Sequence, residues 1–152
     1  MKGTIEEIIS QDDKFYARYL IGKARHALLK IRRKELAPSH ISPRQAQIIF
    51  ILSNLQRANL AELAKHSNRG INTLSNQMRL LEKDGLVKKF RETPKSTLLT
   101  FELTQKGSDI CDFSFKGNRI ERQVMAALSD DELKQIISML EKLINEAETQ
   151  GR

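Results

Sequence analysis

Between residues 59 and 104 the sequence reads as a short helix, a tight turn, a second helix and two strand-like segments around a basic loop. Few folds accommodate that succession. The first helix opens at Asn59, an N-cap residue type, with Glu62 in the capping-box place and Leu60, Leu63 and Ala64 forming a short apolar face. Ser67 and Asn68 supply the turn, Asn68 because it tolerates the left-handed conformation, and Gly70 serves as the next N-cap. The spacing then predicts a helix over about residues 71–84. Ile71, Leu74, Met78 and Leu81 make one apolar stripe, and Gly85 sits where a C-terminal cap belongs.

The opposite face of that second helix carries Asn72, Thr73, Asn76 and Arg79, with Ser75 at its edge. Any surface helix is polar opposite its apolar stripe. These side chains, however, also have the lengths and donors that suit base edges in a major groove, Asn pairing with adenine and Arg with guanine. The basic segment after the helix favours the second reading. Leu86 to Phe90 carries Lys88 and Lys89, and after Glu92, Thr93 and Pro94 the chain resumes as Ser96 to Leu103, rich in Thr, Leu and Phe. Together these predict an antiparallel hairpin whose tip holds Arg91, Pro94 and Lys95. A helix, turn, helix and basic hairpin in that order describe a winged helix-turn-helix.

Charge is distributed to match. The chain is +7 overall. Between Lys65 and Lys95, eight basic residues (Lys65, Arg69, Arg79, Lys83, Lys88, Lys89, Arg91, Lys95) face three acidic ones (Glu82, Asp84, Glu92), a local balance of +5. Such a cluster can release counterions from a duplex and supply affinity. From Leu128 to Arg152 the balance reverses to −3. A second basic run, Lys30, Arg32, Arg33 and Lys34, either reaches a phosphate flank or complements the negative end of its own helix.

Long helices flank this module. Phe15, Tyr19, Leu20, Ala24, Leu28 and Ile31 recur at helical spacing from about Asp13 to Lys34. Ser129 and Glu132 form a capping box ahead of a broad apolar face of Leu133, Ile136, Ile137, Leu140, Leu143, Ile144 and Ala147. One small subunit offers little for those faces to cover. A second copy of the chain would cover them, although packing of the two helices on each other within a monomer stays open. Ser42, Pro43 and Gln45 start another helix, in which Ala46, Ile49, Phe50, Ile51, Leu52 and Leu55 should form the centre of the core. A further helix is expected from Gln105 to about Leu128, with Ile110, Phe113, Ile120 and Val124 inward and a kink at Gly117.

At this point the residues carry a resemblance. The string from Leu63 to Leu86, with its Asn-Thr-Leu-Ser core and Leu-Glu-Lys-Asp-Gly-Leu ending, resembles the MarR family of bacterial and archaeal transcription regulators. So does Leu103-Thr104-Gln105-Lys106-Gly107, similar to the Leu-Thr-x-x-Gly signature that closes the wing in that family. The resemblance implies a mostly α fold with a small β wing. Residues 1–35 and 105–152 would form a helical dimerisation layer, and residues 36–104 the winged helix-turn-helix DNA-binding domain. It implies a homodimer on double-stranded DNA at a pseudo-palindromic operator. By position, Asn72, Thr73, Ser75, Asn76 and Arg79 match the family's recognition-helix readers and phosphate clamps, and Lys88, Lys89, Arg91 and Lys95 are the wing's candidates. The family's wing usually carries Asp-x-Arg. Here the loop reads Arg91 to Ser96, with Lys95 as the stand-in at the tip, a point charge without Arg's planar fork. Arg69 stands where the family commonly has an apolar residue.

Other chemistries find little support. His26, His40 and His66 have no ligand spacing, and with one cysteine they form no metal signature. A single Cys excludes an intrachain disulfide. Cys111 lies between Asp109, Ile110, Asp112 and Phe113, neighbours that suit packing better than a reactive thiolate. No catalytic set or phosphate loop is recognisable, so neither an enzyme nor a cofactor is expected. No apolar stretch approaches the roughly 18 residues of a membrane span, nor does the N-terminus look like a signal, so a cytoplasmic protein is expected. Disorder is expected only in the first dozen residues and the last few. A small aromatic effector is implied by the resemblance alone. Were there a pocket, Phe15, Tyr19, Phe50, Phe113 and Phe115 would be nearest to it, though most of them should be core. The expected function is a sequence-specific, dimeric DNA-binding regulator, a repressor relieved by a ligand in the family's manner. The alternatives are a nonspecific or architectural nucleic-acid binder and a winged-helix module whose partner is protein.

Overall fold

The structure, a computed structural model, describes residues 4–116 and 119–151. The chain divides into two compact units, Met1–Asn118 and Arg119–Arg152. In the first, helices α1 (Ile5–Ile9) and α2 (Asp13–Leu36) lead through a 3-10 turn (Ala37–Ser39) into α3 (Pro43–Leu55). The winged module comprises strand β1 (Ala58–Asn59), helices α4 (Leu60–Ser67) and α5 (Ile71–Lys83), and strands β2 (Val87–Phe90) and β3 (Thr100–Leu103), and leads into α6 (Gln105–Lys116). The second unit holds α7 (Arg119–Met125) and α8 (Asp130–Gln150).

Local chemistry sets the helix starts. Reciprocal capping boxes close the N-termini of α1 (Thr4 with Glu7), α3 (Ser42 with Gln45), α4 (Asn59 with Glu62) and α8 (Ser129 with Glu132). The box at Thr4, with an ion pair between Glu6 and Lys23, gives the N-terminal segment a helix where the sequence predicts disorder. At the other end α8 runs on to Gln150. The expected kink at Gly117 lies outside the described residues.

The sheet is antiparallel with order β1-β3-β2. The β2–β3 hairpin is the predicted wing, but β3 begins at Thr100 rather than near Ser96. Ser96 is held in the loop: its amide donates to the Thr93 carbonyl (3.0 Å) and its hydroxyl accepts from the Leu98 amide (3.2 Å). The two-residue β1 was not expected, being too short to carry an alternation.

The core of the first unit centres on α3, through Ala46, Ile48, Ile49 and Leu52, packed with Leu36, Leu63, Leu74, Met78, Leu81, Leu86, Val87 and Phe101. Several apolar residues expected inside lie outside. Ile71 is 52% exposed in the first turn of α5, and Phe50 is 43% exposed while its neighbour Ile48 is fully buried. On α6 the inward face is Gly107, Cys111 and Ser114, with Ile110 partly covered and Phe113 turned outward. The cause is a close approach: a Cβ on Gly107 would lie 2.1 Å from the Leu86 carbonyl oxygen. Only the small-residue face of α6 can come that near, and it leaves Phe113 on the far side. Cys111 is packed in this contact, 7% exposed.

A knot of backbone bonds locks the same place. Helix α5 ends in a Schellman motif, with Gly85 at φ +72°, the Gly85 amide on the Glu82 carbonyl (3.0 Å) and the Leu86 amide on the Leu81 carbonyl (2.9 Å). The Thr104 hydroxyl donates to the Gly85 carbonyl (2.6 Å) and accepts from the Gly107 amide (3.1 Å), while the Thr104 amide donates to the Leu86 carbonyl (3.1 Å). Lys106 Nζ donates to the Asp84 carbonyl (2.8 Å). Four elements, α5, β2, β3 and α6, meet in these bonds.

In the second unit no residue of α8 is buried. Ile137, Leu143 and Ile144 are each more than half exposed, and Ile120 and Val124 of α7, expected inward, are 51% and 44% exposed. The acidic first turn, Asp130, Asp131 and Glu132, complements the helix dipole, and hydrogen bonds from Ser129 hold the Glu132 carboxyl below its ordinary pKa.

Because Gly107 admits no side chain, Gly107→Ala should destabilise the protein by about 2 kcal/mol or more, the range of overpacking changes. Urea unfolding would read this directly. An unchanged midpoint would mean that α6 can slide away from Leu86 at no cost.

Candidate nucleic-acid interface

Helices α4 and α5 meet at Asn68, which adopts the left-handed conformation (φ 52°, ψ 44°) that its residue type tolerates. The next residue, Arg69, folds back so that its Nη2 donates to Gln47 Oε1 of α3 at 2.7 Å. It thereby ties the turn to the core helix. Gly70 N-caps α5 without a side-chain bond, so the first amides of that helix have no side-chain acceptor.

Leu74, Met78 and Leu81 anchor the inner face of α5. The outer face then presents Asn72, Thr73, Ser75, Asn76 and Arg79, all exposed, as one row. Among the described residues, none of these five side chains has a hydrogen-bond or ion-pair partner. A row of donors and acceptors left unsatisfied on a rigid helix can hydrogen-bond a base edge without first breaking an internal contact.

The wing brings its cations forward unequally. Thr93 to Ser96 form a closed turn with Pro94 and Lys95 at its centre, so Lys95 stands at the tip as expected. Lys95 and Arg91 are exposed and, among the described residues, have no ion-pair partner. Lys88 and Lys89 do. Successive strand residues point to opposite faces, and each finds a carboxylate on its own side. Lys88 Nζ lies 2.7 Å from Glu102 Oε1, and Lys89 Nζ lies 2.9 Å from Glu82 Oε2 on α5. A count of charges along the sequence takes both as free.

Glu102 also accepts from Arg57 Nε at 2.9 Å, and the Arg57 guanidinium lies 5.1 Å from the centre of the Phe90 ring. The Lys88 bond and charge, with Arg57 beside them, hold the Glu102 carboxyl below its ordinary pKa. Sequence reasoning missed Arg57 and Glu102. Their only signal was the cross-strand register, Lys88 opposite Glu102, which requires the hairpin to be known first.

The basic run closing α2 is divided. Arg32 turns inward, donating from Nη1 to the Ser114 carbonyl (2.8 Å) with its guanidinium 5.4 Å from the Phe115 ring centre, so it cannot reach a phosphate flank. Arg33 and Lys34 stay exposed in the last turn, where they complement the helix dipole. Nor do the five aromatics expected near a pocket form one group. Phe50 and Phe115 touch, with centroids 4.2 Å apart, whereas Phe113 lines a separate open groove of about 390 Å³ with Pro38, Ser39, Lys106, Asp109 and Ile110. Phe15 is 44% exposed under Arg18, and Tyr19 stacks on Tyr16. Most of these aromatics are therefore not core.

Residues 41–93 match the model of the MarR family. No curated protein matches the sequence. Among solved structures, the organohalide-sensing transcriptional regulator RdhR-CbdbA1625 in its 2,4-dichlorophenol-bound form superposes with a TM-score of 0.83 at 23% identity, covering 89% of this chain and 81% of that one. A mutant of Escherichia coli MarR complexed with operator DNA superposes with a TM-score of 0.79 at 19% identity, covering 93% of this chain and 99% of that one. BpsR of Bordetella bronchiseptica, whose DNA binding is regulated by 6-hydroxynicotinic acid, gives 0.75 at 16% identity over 84% of this chain and 97% of that one. At these identities the likeness is one of fold, and the fold is that of MarR-family transcription regulators. No helix among the described residues is long and apolar enough to cross a membrane.

Asn68 sets the angle between α4 and α5 from the left-handed region. Asn68→Val should therefore cost about 1–2 kcal/mol in thermal or denaturant unfolding while Asn68→Gly is near neutral, because only the first carries a Cβ-branched side chain into that region. Equal effects would mean that the Asn side chain, rather than its backbone tolerance, holds the turn.

Proposed function

We propose that this chain, which carries a MarR-family domain over residues 41–93, is a sequence-specific DNA-binding transcription regulator acting as a homodimer. The observation that carries the reading is the unpartnered polar row on α5, Asn72, Thr73, Ser75, Asn76 and Arg79, backed by a buried face and flanked by a wing with Lys95 at its tip. In this reading the row enters a major groove, with Asn72 and Asn76 reading bases and Arg79 a base or phosphate. Arg91 and Lys95 approach the adjacent minor groove. Lys88 and Lys89 stand at the base of the wing, Lys88 on Glu102 and Lys89 on Glu82.

The dimer follows from cost. A 21-residue amphipathic helix with no buried residue gains little from propensity alone. A second copy covers Ile137, Leu143 and Ile144 and sets two α5 helices on one duplex about a two-fold axis. Residues 1–35 and 105–152 would supply that layer and residues 36–104 the DNA-binding domain, with α6 serving both. Repression relieved by a small aromatic ligand extends the reading by analogy with the two ligand-responsive regulators of like fold. The protein acts in the cytoplasm and has no catalytic role.

Selection of bound duplexes from a random pool should enrich an inverted repeat with half-sites about one helical turn apart. Enrichment of nothing would leave a nonspecific binder, and no binding at all a protein-interaction module. On the selected operator, Arg79→Ala should weaken binding about tenfold or more, and Asn76→Ala should cost about 1–3 kcal/mol of discrimination against random DNA. If gel-shift titrations find neither change, α5 is not the reading helix. Leu143→Glu should shift the protein from dimer to monomer in sedimentation and lower operator affinity with it. A dimer that survives this change would place the interface elsewhere.

A further inference from the structure

The outer face of the wing sheet gathers charge in a way that stability alone does not explain. Lys88 and Phe90 share that face of β2, and Glu102 of β3 stands opposite Lys88 in the register. The two Glu102 oxygens are divided between two cations, Oε1 to Lys88 (2.7 Å) and Oε2 to Arg57 (2.9 Å). Arg57 reaches its place through a strained reversal. Gln56 lies at φ 65°, ψ −48°, and the Arg57 amide donates to the Leu55 carbonyl at 2.7 Å, which together make a γ-turn of the rare positive-φ kind. Its guanidinium then lies over Phe90. Both cationic side chains are 61% exposed, and ion pairs so exposed add little to stability. The carboxylate between them is the recessed member, at 20%. A backbone strained to deliver an Arg, and two exposed cations assigned to one carboxylate, describe an arrangement that places charge.

We propose that Glu102 is a specificity-determining residue that acts as an internal stand-in for a DNA phosphate, occupying Arg57 and Lys88 and so limiting the sequence-independent affinity of the wing. The proposal rests on the DNA-binding reading above. A phosphate that approaches this face must displace a carboxylate already fixed in place, and it meets that carboxylate's repulsion as it does so. Complexes on random DNA depend on phosphate contacts alone and slide to whatever register suits the free cations. A complex whose register α5 has already fixed cannot slide, and it gains from freed cations only if a phosphate lies within reach. Neutralising Glu102 therefore favours random DNA over the operator.

The test uses the full chain with Glu102→Gln, which keeps the size of the side chain and one acceptor oxygen, turns the other into an NH2 donor and removes the charge. Affinities for a random-sequence duplex and for the selected operator are measured over about 50–300 mM salt, beside melting temperatures. The salt slope of the variant on random DNA should steepen by about 1–2, its random-DNA affinity should rise severalfold, and the gap between operator and random DNA should narrow. Glu102→Asp, which restores the carboxylate, should return the slope to that of the wild type. An unchanged or shallower slope for Glu102→Gln, or an equal loss of affinity on both duplexes, would overturn the proposal and leave Glu102 a structural brace. Failure of the wild-type protein to bind any duplex would instead remove the DNA-binding reading, and this proposal with it.

Discussion

The contact between Gly107 and the Leu86 carbonyl is the constraint on which the winged module depends. It fixes how closely α6 lies to the end of α5, and the Thr104 hydroxyl bridges the two by donating to Gly85 and accepting from Gly107. The Leu103-Thr104-x-x-Gly107 string therefore has a mechanical meaning. Leu103 ends the inner strand of the wing opposite Val87, Thr104 clamps the Schellman turn of α5, and Gly107 lets the next helix pass over the joint. The orientation of α5 relative to the wing is decided in this knot, at the opposite end of the helix from Asn72.

The charge of the interface is smaller and better sorted than a count of residues suggests. Lys88 and Lys89 are held by Glu102 and Glu82, and Arg69 is engaged by Gln47. Of the eight basic residues from Lys65 to Lys95, those left open among the described residues are Lys65, Arg79, Lys83, Arg91 and Lys95, beside the rest of the polar row of α5. That division separates two tasks. In the proposed complex the groups that would discriminate between bases are left unsatisfied and rigidly mounted, whereas part of the charge that would bind any duplex is answered internally. A surface with all eight cations free would hold random DNA more strongly and gain nothing in reading it.

Much of the fold was legible because its signals are local. Capping boxes at Ser42, Asn59 and Ser129, the left-handed Asn68 and the Gly85 helix stop each depend on residues within four or five positions, and each formed as the spacing predicted. The errors fall where a distant element decides. Periodicity cannot tell that α6 must turn Gly107 and Ser114 inward, because the reason is a carbonyl twenty-one residues earlier, Leu86. The same applies to Ile48 displacing Phe50 from the core and to Arg32 turning toward the Ser114 carbonyl. The reading row of the candidate site could be drawn from α5 alone, since its own apolar stripe fixes which way it faces. Arg57 and Glu102 could not, since they meet only across the sheet.

Ile71 marks where the stripe of α5 stops being structural. Its neighbours on the same face, Leu74, Met78 and Leu81, are buried, yet it is 52% exposed at the first turn, beyond the reach of the core and beside the uncapped amides of the helix. The described residues leave this end of α5 largely uncovered. In the proposed complex it is the part of the helix that first meets the duplex, and an apolar side chain there suits a thymine methyl rather than solvent. In the proposed complex DNA would cover the exposed end of α5 and a second copy the exposed face of α8, so that the cost of each exposed apolar surface would be recovered there.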